Sequence, residues 1–148
     1  MRKVFRVRSY QNLDWLVLVA RLAIGSLMLV HGLPKLAMLI EGGPVAFPNV
    51  LGMGASVSLA LAVFAEVLCS VLILAGLGTR IATVPLMITM LIAVFYIHGN
   101  DPFIQQEMGL HYLLVYGLLL VAGSGKYSAD YLIDKFYDRK AVVARSQA

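Results

Sequence analysis

Charge is scarce in this chain. Only 14% of its 148 residues are Asp, Glu, Lys or Arg, against 60% apolar residues and a mean hydropathy of +0.83. That balance excludes an ordinary soluble domain. Cysteine is scarcer still. Cys69 is the single one, which excludes an internal disulfide, a CxxC dithiol, a covalently attached c-type haem and a cysteine-ligated zinc. Inside an apolar run it reads as a small packing residue, with a redox thiol as the weaker alternative. A Gly-rich phosphate loop, a Ser–His–Asp pattern and paired catalytic carboxylates are all missing, so hydrolysis and phosphoryl transfer find no support. Internal repeats and low-complexity tracts are missing too.

What the chain has instead is four apolar runs, about Asp14–Leu33, Val57–Leu77, Ile81–Ile97 and Met108–Gly123. Each approaches the ~20 residues a helix needs to cross ~30 Å of hydrocarbon. None alternates as a barrel strand would, so helices are the form that satisfies the backbone in lipid. The expected fold is all-α: an integral membrane four-helix bundle over 13–125, after a basic lead-in (1–12) and before an amphipathic tail (126–148). The basic residues sort by loop. Arg2, Lys3, Arg6 and Arg8 precede the first run, Arg80 lies between the second and third, and Lys126, Lys135, Arg139, Lys140 and Arg145 follow the fourth. The two other connections hold only Lys35. The positive-inside rule then places both termini in the cytoplasm and 34–56 and 98–107 outside. The net charge of +4 is explained by this topology, and nucleic-acid binding is not expected. Because Arg21 interrupts the first run and no small-x-small site follows, that run reads as a retained helix rather than a cleaved signal peptide.

Two charges fall inside apolar runs, Arg21 and Glu66. From Gly42 to Thr79 no other side chain is charged. A lone acid at the centre of a membrane helix costs roughly 2.5–3.5 kcal/mol on insertion scales, so it faces the bundle and has a partner. In the first run Arg21, Gly25, Met28, Gly32 and Lys35 share a stripe, and in the second Leu59, Ala62, Glu66, Ser70 and Ile73 do. Counting 1.5 Å per residue from the run ends brings Arg21 within reach of Glu66. The expectation is a buried Arg21–Glu66 ion pair, serving helix packing or lining a ligand or proton path. Asp14 is a cap candidate, and Pro34 kinks the first helix rather than ending it.

Within the outer connection 34–56, Gly42-Gly43-Pro44 breaks the first helix, and Val45–Ala55, with Phe47, Pro48, Gly52 and Gly54, is too apolar for a free loop and too broken for a helix. It reads as an interfacial or re-entrant segment over the outer mouth. Three histidines map to the same level: His31, His98 and His111, with Lys35, Tyr96 and Tyr112. Three readings compete for this outer pocket: side chains contacting headgroups, a site for quinone or another anionic or aromatic small molecule, and metal or b-haem ligation. HxxxH and HxxE spacings are lacking, so no metal site is expected.

Taken in order, the motifs Ala20-Arg21-Leu22-x-x-Gly25, His31-Gly32-x-x-Lys35-Leu36, Ala65-Glu66, Leu72-x-Leu74-x-Gly76-Leu77-x-Thr79-Arg80 and Gly123-Ser124-Gly125-Lys126-Tyr127-Ser128-x-Asp130 resemble the DoxX family. Ser124 stands where that family usually has Pro, and Lys126 where it has Arg. The resemblance runs from about residue 14 to 134 and implies a multi-pass protein of the bacterial inner membrane. It also implies an association with redox or thiol-stress chemistry, the family name deriving from a subunit linked to a thiosulfate:quinone oxidoreductase. Arg21, His31, Lys35, Glu66 and Arg80 become positions of interest, Arg80 also as an anchor of the inner turn to phosphate headgroups. The leading expectation is a component of membrane redox chemistry that contacts quinone near the outer leaflet, with a redox partner supplying the electrons. No protein-borne redox cofactor is visible in the sequence, and an oxidoreductase-associated role stays open. A small proton-coupled transporter working as a homo-oligomer, or a non-catalytic assembly partner, are the alternatives.

Overall fold

A computed structural model describes residues 11–43 and 45–146. The basic residues Arg2, Lys3, Arg6 and Arg8, and the side chains of Arg139, Lys140 and Arg145, lie outside what it describes. The described chain is all-helical, with no strand among these residues. Helix α1 spans Gln11–Glu41, α2 Ala55–Ala75, α3 Thr79–Ile97, α4 Phe103–Ala122 and α5 Ala129–Ser146. Three of them are long and apolar enough to cross a membrane: α1 over Asn12–Glu41, then α2 and α3. Helices α1 to α4 pack in a ring, each against the next, and α4 returns to α1. Leu22, Leu61, Phe64, Ile88 and Leu118 are exposed around it, the outward apolar coat of a bundle that faces lipid.

The first helix is longer than expected. It runs through Pro34 to Glu41, carrying Lys35 two residues, about half a turn, beyond the end of the apolar run at Leu33. Asp14 is not a cap: it lies in the first turn, buried, and its Oδ1 accepts the Lys126 N–H at 3.0 Å. The two stripes read from the sequence do face each other. Leu59, Ala62, Glu66, Ser70 and Ile73 are all buried, as are Arg21 and Met28. A Cβ on Gly25 would come 2.8 Å from Leu74 Cγ, and one on Gly32 3.1 Å from Glu66 Cβ. These two flat positions let α1 lie directly on α2 and set an antiparallel register, Gly25 beside Ser70 and Leu74, Gly32 beside Glu66 and Val67.

Where α2 ends, Gly76 takes a left-handed conformation (φ 69°), and the Leu77 N–H reaches back to the Leu72 carbonyl at 2.9 Å. This glycine-based stop also turns the Gly76 N–H to the Ile73 carbonyl at 3.1 Å, and Ile73 and Leu74 keep acceptor capacity at the helix's negative end. Arg21 fills that position. Its Nε donates to the Ile73 carbonyl (2.8 Å), Nη2 to Leu74 (2.9 Å), and Nη1 to Ser124 (2.6 Å) and Tyr127 (3.0 Å). One side chain therefore joins α1, the end of α2 and the link from α4 to α5. The same link is held from the other side by Asp130. Its carboxylate accepts the Gly78 N–H at 3.0 Å and the Ser124 hydroxyl, and it is the acid that acts on the Arg21 guanidinium.

The inner-turn anchor Arg80 does not reach for headgroups alone. Its Nη2 donates to the Val121 carbonyl at 3.0 Å, meeting an open carbonyl in the last turn of α4. Between α2 and the helix before it, residues 42–54 run irregularly around a short 3₁₀ turn, Val50–Gly52. Ser58 holds this segment down: its hydroxyl accepts the Val50 N–H at 3.1 Å and donates to the Gly54 carbonyl at 2.8 Å.

Because a Cβ on Gly76 would fall 2.6 Å from Arg21 Cζ in a backbone region that disfavours side chains, Gly76→Ala loses both the stop and the carbonyl cage. It is expected to destabilise the purified protein by at least ~2 kcal/mol, lowering the thermal midpoint by roughly 4–8 °C. Gly43→Ala, with open space around it, is expected to change the midpoint by less than about 2 °C. Equal midpoints for the two variants would refute the cage.

Candidate functional site

Glu66 sits in an irregular part of α2. Residues Phe64–Cys69 form a π-helical turn, and Ile92–Ile97 of α3 form another, where the His98 N–H bonds the Ala93 carbonyl five residues back. Such wide turns are rare and concentrate at functional sites. Here the two face the same space.

The expected Arg21–Glu66 pair is not formed. Glu66, 1% exposed, instead takes Lys35, whose Nζ lies 2.5 Å from Oε1 and 2.7 Å from Oε2. The reason is register. Arg21 falls beside Ile73 and Leu74, seven to eight residues from Glu66, or about 11 Å along the axis. Lys35 falls one turn from Gly32, which touches Glu66 directly. Counting depth from the ends of the apolar runs brings Arg21 about 4 Å too close to Glu66, because those ends are not level.

Two chambers meet at this pair. The larger, about 410 Å³, lies between α2 and α3 under the 42–54 segment. Phe47, Pro48, Val50 and Met53 cover it, and Leu61, Phe64, Pro85, Ile88 and Ile92 form its sides. The smaller, about 200 Å³, lies inside the ring, among Met28 and His31 of α1, Met90 and Val94 of α3, and Gln105, Met108 and Tyr112 of α4. Lys35, Glu66, Ala93 and His98 line both.

Four of the six residues expected in an outer pocket therefore come together. Lys35 and His98 line both chambers; His31 and Tyr112 line the smaller one, their rings edge to face at 6.1 Å. His98 also holds Asp101, Nδ1 to Oδ2 at 2.7 Å. Tyr96 and His111 do not belong. Both are exposed and line neither chamber. His111 precedes the buried Tyr112 by one residue, a turn of ~100°, and Tyr96 follows the buried Val94 by two, a turn of ~200°, so each faces outward. Sequence reasoning missed Tyr116, fully buried against Tyr112 with ring centres 6.0 Å apart. It is one turn from Tyr112 on the same helix face, which was the signal available.

Reversing the true pair tests it. Lys35→Glu and Glu66→Lys are each expected to destabilise by about 3–5 kcal/mol, since each leaves a buried carboxylate or ammonium without its partner. The double exchange should recover most of the folded yield, measured by size-exclusion profile and thermal midpoint. Arg21→Glu with Glu66→Arg should recover none; recovery there but not in the Lys35 exchange would contradict this pairing.

The family model DoxX matches residues 16–99, which contain Arg21, His31, Lys35, Glu66, Arg80 and His98, while the Gly123–Asp130 stretch falls outside the match. No curated protein and no solved structure shows a significant match. With more than half of its length matched, the chain belongs to the DoxX family.

Proposed function

We propose that this membrane protein crosses the bacterial inner membrane four times and holds a quinone headgroup in the larger chamber, as a component of membrane redox chemistry. The fourth crossing is α4, 20 residues long, antiparallel to α3 and closing the ring on α1. An even number of crossings leaves both termini on one side. The distribution of Lys and Arg favours the cytoplasm for that side, and so the outer leaflet for the Lys35 end.

The observation that carries the proposal is the form of the larger chamber. Its volume of about 410 Å³ falls within the roughly 300–1,000 Å³ typical of small-molecule sites. Leu61, Phe64 and Ile88, all about half exposed, flank it on the face that meets lipid. A single ammonium, Lys35 Nζ, stands at its polar end, 5.8 Å from the centre of the Phe47 ring. An amphiphile arriving from the bilayer fits this shape: an apolar tail between α2 and α3, a flat ring beside Phe47, and an acceptor oxygen toward Lys35 and His98. A quinone has those parts and, when bound, supplies the electron-accepting chemistry; the chain binds and orients it while a redox partner delivers electrons. A transport reading needs Glu66 to exchange protons in the empty protein, and Lys35 against both of its oxygens weighs against that.

Titration calorimetry on protein in lipid nanodiscs, with decyl-substituted benzoquinone and naphthoquinone as probes, tests the reading. One saturable site is expected. Lys35→Ala should weaken it roughly 10- to 100-fold, the worth of a hydrogen bond to a charged donor. Ile88→Trp, which fills the chamber, should abolish it, and His111→Ala should leave it unchanged. Absence of saturable binding, or undiminished binding to Ile88→Trp, would remove quinone from the larger chamber.

A further inference from the structure

The Lys35–Glu66 pair stands between two chambers that open in different directions. The larger meets the lipid-facing side of α2 and α3. The smaller leads from Glu66 past His31 and Tyr112 to Gln105 and Met108, at the start of α4, where the polar 98–102 turn begins. The two halves of the pair are unequally covered: the Glu66 side chain is 1% exposed and that of Lys35 29%. Lys35 thus has two competing acceptors, the Glu66 carboxylate behind it and any acceptor oxygen in the larger chamber. Giving Lys35 up to a ligand would strand a buried carboxylate without its cation, which is strongly unfavourable. A proton is the smallest replacement for that cation. Outside both chambers, the fully buried hydroxyls of Tyr116, Ser70 and Thr79 have no hydrogen-bond partner among the described residues. Tyr116 acts electrostatically on Glu66, as do Tyr112 and Cys69 on Tyr116. Buried hydroxyls of this kind are met by internal water.

We infer that the smaller chamber is the proton inlet of the site. A ligand in the larger chamber draws Lys35 off Glu66, and Glu66 takes up one proton that arrives from the water phase through the smaller chamber. This rests on the larger chamber being the ligand site. No electron moves in this step: one O–H bond forms on Glu66, the Lys35 ammonium keeps its protons, and its contact passes from carboxylate to ligand. The groups around Glu66 are Lys35 and His31 from α1, Cys69 on its own helix, His98 with Asp101 at the end of α3, and Tyr112 and Tyr116 from α4.

Two measurements test the inlet. In the first, affinity for the decyl-quinone probe is followed over two to three pH units around neutrality. Uptake of one proton on binding makes the affinity rise about tenfold for each unit the pH falls. Glu66→Gln should bind with no pH dependence, whereas His31→Gln and His98→Gln should keep the wild-type slope and so place the proton on Glu66. In the second, which needs no quinone, Met90→Cys is made in a Cys69→Ser background. Met90 lines only the smaller chamber and is 8% exposed. A small membrane-impermeant thiosulfonate should modify it from the outer phase, but should not modify Leu61→Cys, which a lipid-soluble maleimide should reach. A wild-type affinity that is flat with pH, a slope that survives Glu66→Gln, or a Met90→Cys that the impermeant reagent cannot reach overturns the inlet. Loss of all quinone binding overturns the ligand reading instead, and leaves the labelling result to decide whether the smaller chamber is open to water.

Discussion

A guanidinium with no water around it decides how this chain folds. Arg21 is 1% exposed, and its donors go to four backbone carbonyls from two distant parts of the chain. In lipid the need is mutual. Arg21 lies level with the last turn of α2, where a buried charge without acceptors and carbonyls without donors are both unfavourable. The end of α2 is a good partner because its last carbonyls carry the negative end of the helix dipole. Asp130 supplies the formal charge nearby while spending its own oxygens on the Gly78 N–H and the Ser124 hydroxyl. A carboxylate was therefore not needed in direct contact with Arg21.

That contact propagates along the helix pair. With Arg21 beside Ile73 and Leu74, the flat positions Gly25 and Gly32 fall against α2 at the next two levels, and Lys35 arrives at Glu66. The two intramembrane cations thus occupy separate layers with different work. Arg21 places four hydrogen bonds on backbone carbonyls and is 1% exposed, which suits a fixed joint. Lys35 has one partner, a partly open side chain and a chamber on its far side, which suits a group that can change partners.

The faces of the helices were legible in the sequence and their relative heights were not. The stripes through Gly25 and through Glu66 follow from spacing alone, and both are buried. Height needs the register of one helix against the other, which hydropathy does not report: it is set where Gly25 and Gly32 lie against Leu74 and Glu66. An error of about 4 Å along the axis, less than one turn, paired Glu66 with Arg21 instead of Lys35. The carbonyl partners of Arg21 had no signal of any kind, because a backbone acceptor looks the same at every residue. Tyr96 and His111 were placed by depth without regard to direction, and one or two residues of rotation turn them outward. Apolar residues among Gly and Pro were the signal for a covering segment, and Phe47, Pro48, Val50 and Met53 line the larger chamber.

The chambers themselves come from the backbone. Regular helices packed 8–10 Å apart fill their interfaces, leaving few voids larger than water. Here the wide turns Phe64–Cys69 and Ile92–Ile97 lie at the same level on neighbouring helices. Each places an extra residue in its turn, so side chains that a regular ladder would interleave are displaced. Ala62, Ala65 and Ala93 line the space that opens. Glu66 belongs to one wide turn and Ala93 to the other, and both residues form the wall that the chambers share. The irregularity that makes room for a ligand is thus the one that presents the acid, so the buried charge and the cavity beside it have a single cause in the backbone of α2 and α3.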